Sequence, residues 1–348
     1  MKGSALWCCL FLLLKVQMID TMEQTALISV PEKRSYIDFQ ETSTAKPFIE
    51  ANTIELSLEE IRDNHIIPVF IKDNEPVISH VEFIEATLSV ANEIYSMETI
   101  LNPNVRLSHP IKGRVPSAKN KPANELLEHE KTIYYERMAF IIEIPTVYDE
   151  IEGSILSLTI GGVKALNLDN LYNKKGADEH FKVFIGFKNS VCTNLCVWSD
   201  GFMDDLKVNS IGQLKACIRT LIDNYNANYH LHHLGDLLNY SITERQFAHL
   251  VGKLKMYSYL THDLKQQIPC LLLGENQISM AVKDYYRDNS FCKDASGNIS
   301  LWRLYNLFTG VNKSSYIDNY LTRNVNSYLF VEVIKSALSK GNKNWFID

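Results

Sequence analysis

Four side chains with metal-ligand chemistry crowd a short span of the 348-residue chain: His230, His232, His233 and Asp236. On a helix His232 and Asp236 stand one turn apart, and an imidazole and a carboxylate so placed could share a metal ion. The same imidazoles could instead cap carbonyls at a helix end or lie in solvent. A second group is electrostatic. Arg106, Lys112, Arg114, Lys119 and Lys121 occur with no Asp or Glu between Glu98 and Glu125, a local positive patch on a chain of formal net charge -6. Such side chains neutralise the phosphates of DNA or RNA and release counterions; an ordinary solvated loop is the other use. The third group is Cys192 and Cys196, separated by three residues. A nucleophilic Cys192 needs a base or a positive field, and Lys188 and His180 are nearest in sequence.

Other chemistries lack their residues. There is no G-x-x-x-x-G-K-[ST] and no G-x-G-x-x-G, and Gly161-Gly162 reads as a tight turn at a strand end. H-E-x-x-H and G-x-S-x-G are absent too. The seven cysteines are scattered and odd in number, which favours reduced thiols over a disulfide framework, and no second ligand pair completes a zinc site with Cys192 and Cys196. No catalytic residue and no cofactor can be assigned. With 46% hydrophobic and 22% charged residues the composition is that of a globular protein, not a collagenous or disordered one.

The elements that must position these groups follow from periodicity. Residues 4–14 form an apolar run too short for a membrane, which needs about 20 residues, so no integral insertion is expected. Met18 and Met22 are alternative starts, and a signal peptide or an apolar arm are the other readings. Residues 23–49 read as a polar leader, and residues 1–49 as poorly ordered. Ser57 with Glu60, and Ser79 with Glu82, open two helices, with a short strand over 66–71 between them. The prolines at 103, 110, 116 and 122 make residues 102–122 a surface loop.

Beyond the loop the period is two. Tyr134, Met138, Phe140, Ile142 and Ile144 share one side of a strand, Leu156, Leu158 and Ile160 of a second, Phe181, Val183, Ile185 and Phe187 of a third. Residues 191–198 make a fourth, with Cys192, Asn194 and Cys196 on one side. Asn194, polar among small residues, is expected to tie a neighbouring strand or loop. Short connections favour an antiparallel sheet. From Ile211 the period is helical: Ser241 with Glu244 caps one helix, and others cover residues 276–287, 301–309 up to Gly310, and 315–338. Trp302, Tyr305 and Phe308, and Tyr316 and Tyr320, recur at helical spacing, the pattern of a buried face rather than of a base-stacking platform.

Several segments together resemble an uncharacterised family from Bacteroides-type bacteria, domain of unknown function 3871. They are His109-Pro110-Ile111-Lys112-Gly113-Arg114, Tyr134-Tyr135-Glu136-Arg137, Leu158 to Lys164, Val191-Cys192-Thr193-Asn194-Leu195-Cys196 and Tyr305-Asn306-Leu307-Phe308-Thr309-Gly310. The resemblance covers roughly residues 50–340. The family is distantly similar to plasmid- and phage-type proteins that share a Val-Cys-x-Asn and a later Tyr-Asn segment, and it carries no assigned catalytic residues.

The expectation is an α+β protein with N-terminal helices, a central antiparallel sheet and a helical C-terminal half. Residues 50–348 form one domain, sheet-rich over 123–210 and helical over 211–348. For function it is a bacterial cytoplasmic, mobile-element-type protein acting as a non-enzymatic nucleic-acid-associated accessory through Arg106, Lys112, Arg114, Lys119 and Lys121. The alternatives are a metal-dependent enzyme using His230, His232, His233 and Asp236, and a factor binding an unidentified protein partner.

Overall fold

The alternation between residues 138 and 187 becomes three long strands. β5 (Met138–Ile151), β6 (Ser154–Lys164) and β7 (Glu179–Asn189) pair antiparallel in chain order. Glu152 and Gly153, at φ 51° and 73°, make the turn from β5 to β6, a two-residue loop whose twist suits paired strands. Phe140, Ile142, Leu158, Ile160, Val183 and Ile185 enter the main core on one face. Ala139, Ile141, Val163 and Phe184 enter a second core on the other. Burial on both faces explains why these strands read as nearly continuous apolar runs. The register jumps from Ile144 opposite Leu158 to Tyr148 opposite Ser157, a break at Pro145, which has no N–H for the ladder.

This computed structural model describes residues 46–64, 78–109, 111–114, 116–164, 178–287 and 293–348, with backbone alone at 111–116, 123, 128 and 131–135 within those spans. The apolar run, the alternative starts, the leader up to residue 45 and the strand expected at 66–71 lie outside the described residues. Residues 46–49, assigned to the leader from sequence, are packed instead: Phe48 and Ile49 are buried in the second core.

The sheet has seven strands, in order β1 (Thr53–Leu56), β2 (Asn104–Ser108), β5, β6, β7 and β8 (Leu195–Cys196). β9 (Phe202–Val208) takes the N-terminal half of the β7 edge that β8 occupies at its other end. The 102–122 stretch, expected as a loop, therefore supplies a strand, with Val105 and Leu107 buried. Its prolines bracket that strand without interrupting it. β3 (Ile111–Arg114) and β4 (Lys131–Tyr135) form a ribbon separate from the sheet, so Tyr134 and Met138 belong to different strands. Only Leu195–Cys196 of the expected fourth strand pairs, and the chain turns before it. Asn189 Oδ1 accepts the N–H groups of Val191 and Cys192, and Thr193 takes φ 57°. Gly161-Gly162 lies inside β6, not at a turn: a Cβ on Gly162 would come within 2.5 Å of the Phe83 ring.

The helices are α1 (Leu58–Asn64), α2 (His80–Ile94), α3 (Ile211–Asn224), α4 (Ala227–Asp236), α5 (Glu244–Tyr257), α6 (His262–Gln267), α7 (Glu275–Arg287), α8 (Leu301–Asn312) and α9 (Ile317–Lys340). Ser79 and Glu82 form the expected capping box on α2. α5 is capped by Thr243 with Gln246, because Ser241 is taken by the short pairing of β10 (Ser241–Ile242) with β11 (Ile299–Ser300). α9 covers both cores. Ile317, Tyr320, Leu321 and Val325 lie on the second face of the sheet, while Tyr328, Phe330, Val331 and Ile334 enter the main core. Trp302, Tyr305, Phe308 and Tyr320 are buried, whereas Tyr316 is exposed. The architecture is α+β, a central antiparallel sheet with most of its helices in the C-terminal half. No helix among the described residues is long and apolar enough to cross a membrane.

Candidate functional site

The five cationic residues divide by position. Arg106 lies on β2 directly opposite Glu55 of β1. Its guanidinium donates to the Thr53 hydroxyl at 3.1 Å and the Thr53 carbonyl at 2.9 Å, and pairs with Glu55 at 3.4 Å. Being part of the sheet, it is used up in a cross-strand pair. Lys121 is also answered, by Glu130 at 2.5 Å; that ammonium, with the Leu127 N–H, holds the Glu130 carboxyl below the usual carboxylate range. Lys119 is exposed. Lys112 and Arg114 occupy alternate positions of β3, and Arg114 is paired in register with Lys131 of β4. Alternate positions share a face of a strand, and directly paired positions share a face of a ribbon. Two of the five thus have carboxylate partners, and Lys131 stands in register with Arg114 on β4.

The histidine cluster is not gathered around a common point. His230 is fully buried, its Nδ1 2.6 Å from the Tyr225 hydroxyl, and it packs against Phe187, Trp198 and Tyr328. Burial pushes its imidazole down to about 3, so it is neutral at neutral pH. His233 turns toward Trp198 and Tyr229, and His232 is exposed. Asp236 is bound by Lys335 at 2.7 Å. Among the described residues no three His, Cys, Asp or Glu side chains could hold a metal ion together.

Two segments far apart in sequence meet at the end of β7. The Asn194 amide donates to the Asn306 carbonyl of α8 at 3.0 Å, and the Cys192 thiol contacts Asn306 Oδ1 at 3.8 Å. Gly310 continues α8 instead of ending it; a Cβ there would lie 3.7 Å from the Asn194 amide. Asn194 thus ties a helix, not the strand or loop expected from sequence. Lys313, just beyond α8, donates to the Thr193 hydroxyl at 2.6 Å and to the Cys192 carbonyl. Its own carbonyl accepts the N–H groups of Glu50 and Ala51. Burial pushes the Cys192 thiol up, against the pull of Lys313 and Lys46, so the thiol stays protonated. Lys188 and His180, the partners nearest in sequence, are occupied elsewhere, by Glu143 at 2.6 Å and Asp205 at 2.5 Å.

The Val-Cys-x-Asn and Tyr-Asn segments thus meet in one junction. A family model described as "Domain of unknown function, B. Theta Gene description" (DUF3871) matches residues 33–347. The chain belongs to that family. No curated protein and no solved structure matches it. The family's description assigns no reaction.

Lys313 is the junction residue that sequence reasoning missed. It lies 121 positions from Cys192, and only the packing of α8 against the β7 end brings it there. The one signal in the sequence was its place three residues after Gly310, at the end of the Tyr-Asn segment.

Proposed function

We propose that this protein is a non-enzymatic, nucleic-acid-associated accessory that holds a phosphate backbone on the β3–β4 ribbon. The observation that carries this reading is the ribbon's register: Lys112, Arg114 and Lys131 fall at positions of one face, on two strands that take no part in the central sheet. Exposed Lys119 comes after a 3-10 turn over Pro116–Ala118. A two-stranded ribbon fits the major groove of B-DNA, and basic side chains on it reach phosphates from there. The resemblance to proteins of mobile elements, and work in the bacterial cytoplasm where nucleic acid is at hand, agree with this use. Binding without base-edge readout is weak and salt-controlled.

The test is fluorescence anisotropy of labelled single-stranded and duplex oligonucleotides at rising salt. Four phosphate contacts give a slope of log K against log salt of roughly -3 to -4 on duplex. No binding at low salt removes the proposal.

A further inference from the structure

The end of α5 and the turn into α6 put apolar side chains into water beside lysines. α5 turns Phe247, Leu250 and Leu254 inward, and all three are buried. Its opposite side carries Arg245, His249, Gly252 and Met256 in one row at helical spacing, with Lys255 next to the last of them, and all of these are exposed. Past the helix end, Tyr259 follows. Met256 is 56% exposed, Tyr259 85% and Leu264 of α6 46%. None of the six side chains of α6 is buried, so this helix lies on the surface without filling the core.

The two helices are tied at this turn. The Tyr259 N–H reaches the Met256 carbonyl at 3.0 Å, and the Leu260 N–H reaches the Tyr257 carbonyl at 3.2 Å. Lys265 of α6 donates to the Ser258 carbonyl at 2.7 Å, and its ammonium lies 5.9 Å from the centre of the Tyr257 ring. Met256, Tyr259 and Leu264 therefore belong to one surface feature. Large exposed apolar side chains that gather in one place mark a contact surface, and their charged neighbours say with what. Between Glu244 and Glu275 the chain has one acid, Asp263, against Arg245, Lys253, Lys255 and Lys265, on a molecule of formal net charge -6. A protein interface depletes charge, lysine above all, from its apolar centre. Here lysines adjoin the apolar residues, Lys255 beside Met256 and Lys265 beside Leu264. Apolar side chains interleaved with lysines, whose stems carry the charge outward, compose an interfacial membrane segment, and tyrosine is favoured at the bilayer boundary.

We propose that the α5–α6 turn docks on an anionic lipid bilayer, with Met256, Tyr259 and Leu264 entering the headgroup boundary and Arg245 and Lys255 meeting the lipid phosphates. Neither half suffices alone. A few apolar side chains hold a bilayer only marginally, and exposed cations are screened by salt, whereas the two together bind. This surface is separate from the ribbon, and either assignment can fail alone.

The test is co-sedimentation of the full-length protein with vesicles of phosphatidylcholine, alone or mixed with phosphatidylglycerol in equal parts, at low salt. The wild type should bind the mixed vesicles, and several-fold less to phosphatidylcholine alone. Met256→Ser/Tyr259→Ser changes two exposed side chains and no charge, and should lower the bound fraction several-fold; Arg245→Gln/Lys255→Gln should lose the preference for the anionic lipid. Urea midpoints equal to the wild type's show that both variants fold, as exposed positions predict. Binding equal to the wild type in either variant overturns the site and places the contact elsewhere, on the apolar run at residues 4–14 or on the ribbon. No binding of the wild type to either vesicle overturns it too, and a change of self-association in Met256→Ser/Tyr259→Ser then makes a second copy of the chain the occupant. The variant with Lys112, Arg114, Lys119 and Lys131 changed to Ala should sediment like the wild type, which separates this test from nucleic-acid binding.

Discussion

At the scale of single residues, the site candidates were decided by what each side chain touches. His230 looked like a ligand in sequence and is a core residue: four aromatic or apolar neighbours leave its ring neutral. Its buried pKa of about 3 has a consequence for stability. The folded value lies below the unfolded one of about 6.5, so the unfolded chain takes up the proton first. Stability is therefore insensitive to this group above pH 6.5 and falls by about 1.4 kcal/mol per pH unit below it, down to the folded value. Urea denaturation between pH 7.5 and 5 should show this slope, and His230→Phe should flatten it. Asn194 gives a second expectation. Asn194→Ala removes the bond to the Asn306 carbonyl and should cost about 1–2 kcal/mol, read as a lower denaturant midpoint. The residue type had announced a tie; its partner on α8 could not be read, because nothing local links residue 194 to residue 306.

At the scale of elements, the sequence was most legible where one periodicity ran unbroken. β6 and β7, and the Ser79 cap of α2, show on the page as they stand in the fold. β2 was hidden because prolines on either side of Asn104–Ser108 resemble loop punctuation, and only its pairing with β1 and β5 makes it a strand. The 191–198 segment failed in the opposite sense: its alternation is real, but Asn189 and the positive φ of Thr193 turn the chain before pairing begins. A buried ion pair closes the other end of the β6–β7 ladder. Lys164 meets Glu179 at 2.5 Å, and Glu179 also accepts the Ile78 N–H at 2.9 Å, which fixes the entry to α2. Lys164→Met should destabilise by about 3–5 kcal/mol by leaving the carboxylate uncompensated, and adding Glu179→Leu should recover most of that loss in a double-mutant cycle. At the β5–β6 turn two effects oppose. Glu152 pays for φ 51° and gains a partly exposed pair with Arg303 at 2.6 Å. Relief of roughly 1 kcal/mol of strain against about 0.5 kcal/mol of ion pair makes Glu152→Asn slightly stabilising, a small rise in urea midpoint with an unchanged slope.

At the scale of the whole molecule, the α+β class and the antiparallel sheet were legible because both depend on patterns within each segment. What joins segments was not: α9 reaching both cores, Lys313 at the end of β7, and the separation of β4 from β5. Function sits on the illegible side. A run of five cations in sequence becomes three kinds of residue in space: a sheet-bound Arg106, a paired Lys121, and the ribbon positions with Lys119. We propose that only the last kind meets nucleic acid. Anisotropy titration of one duplex at fixed low salt, comparing Lys112→Ala/Arg114→Ala/Lys119→Ala/Lys131→Ala with Arg106→Ala/Lys121→Ala, tests it most directly. The ribbon variant should lose most of its affinity while the other binds like the wild type; equal loss in both, or loss in the second alone, would overturn the proposal.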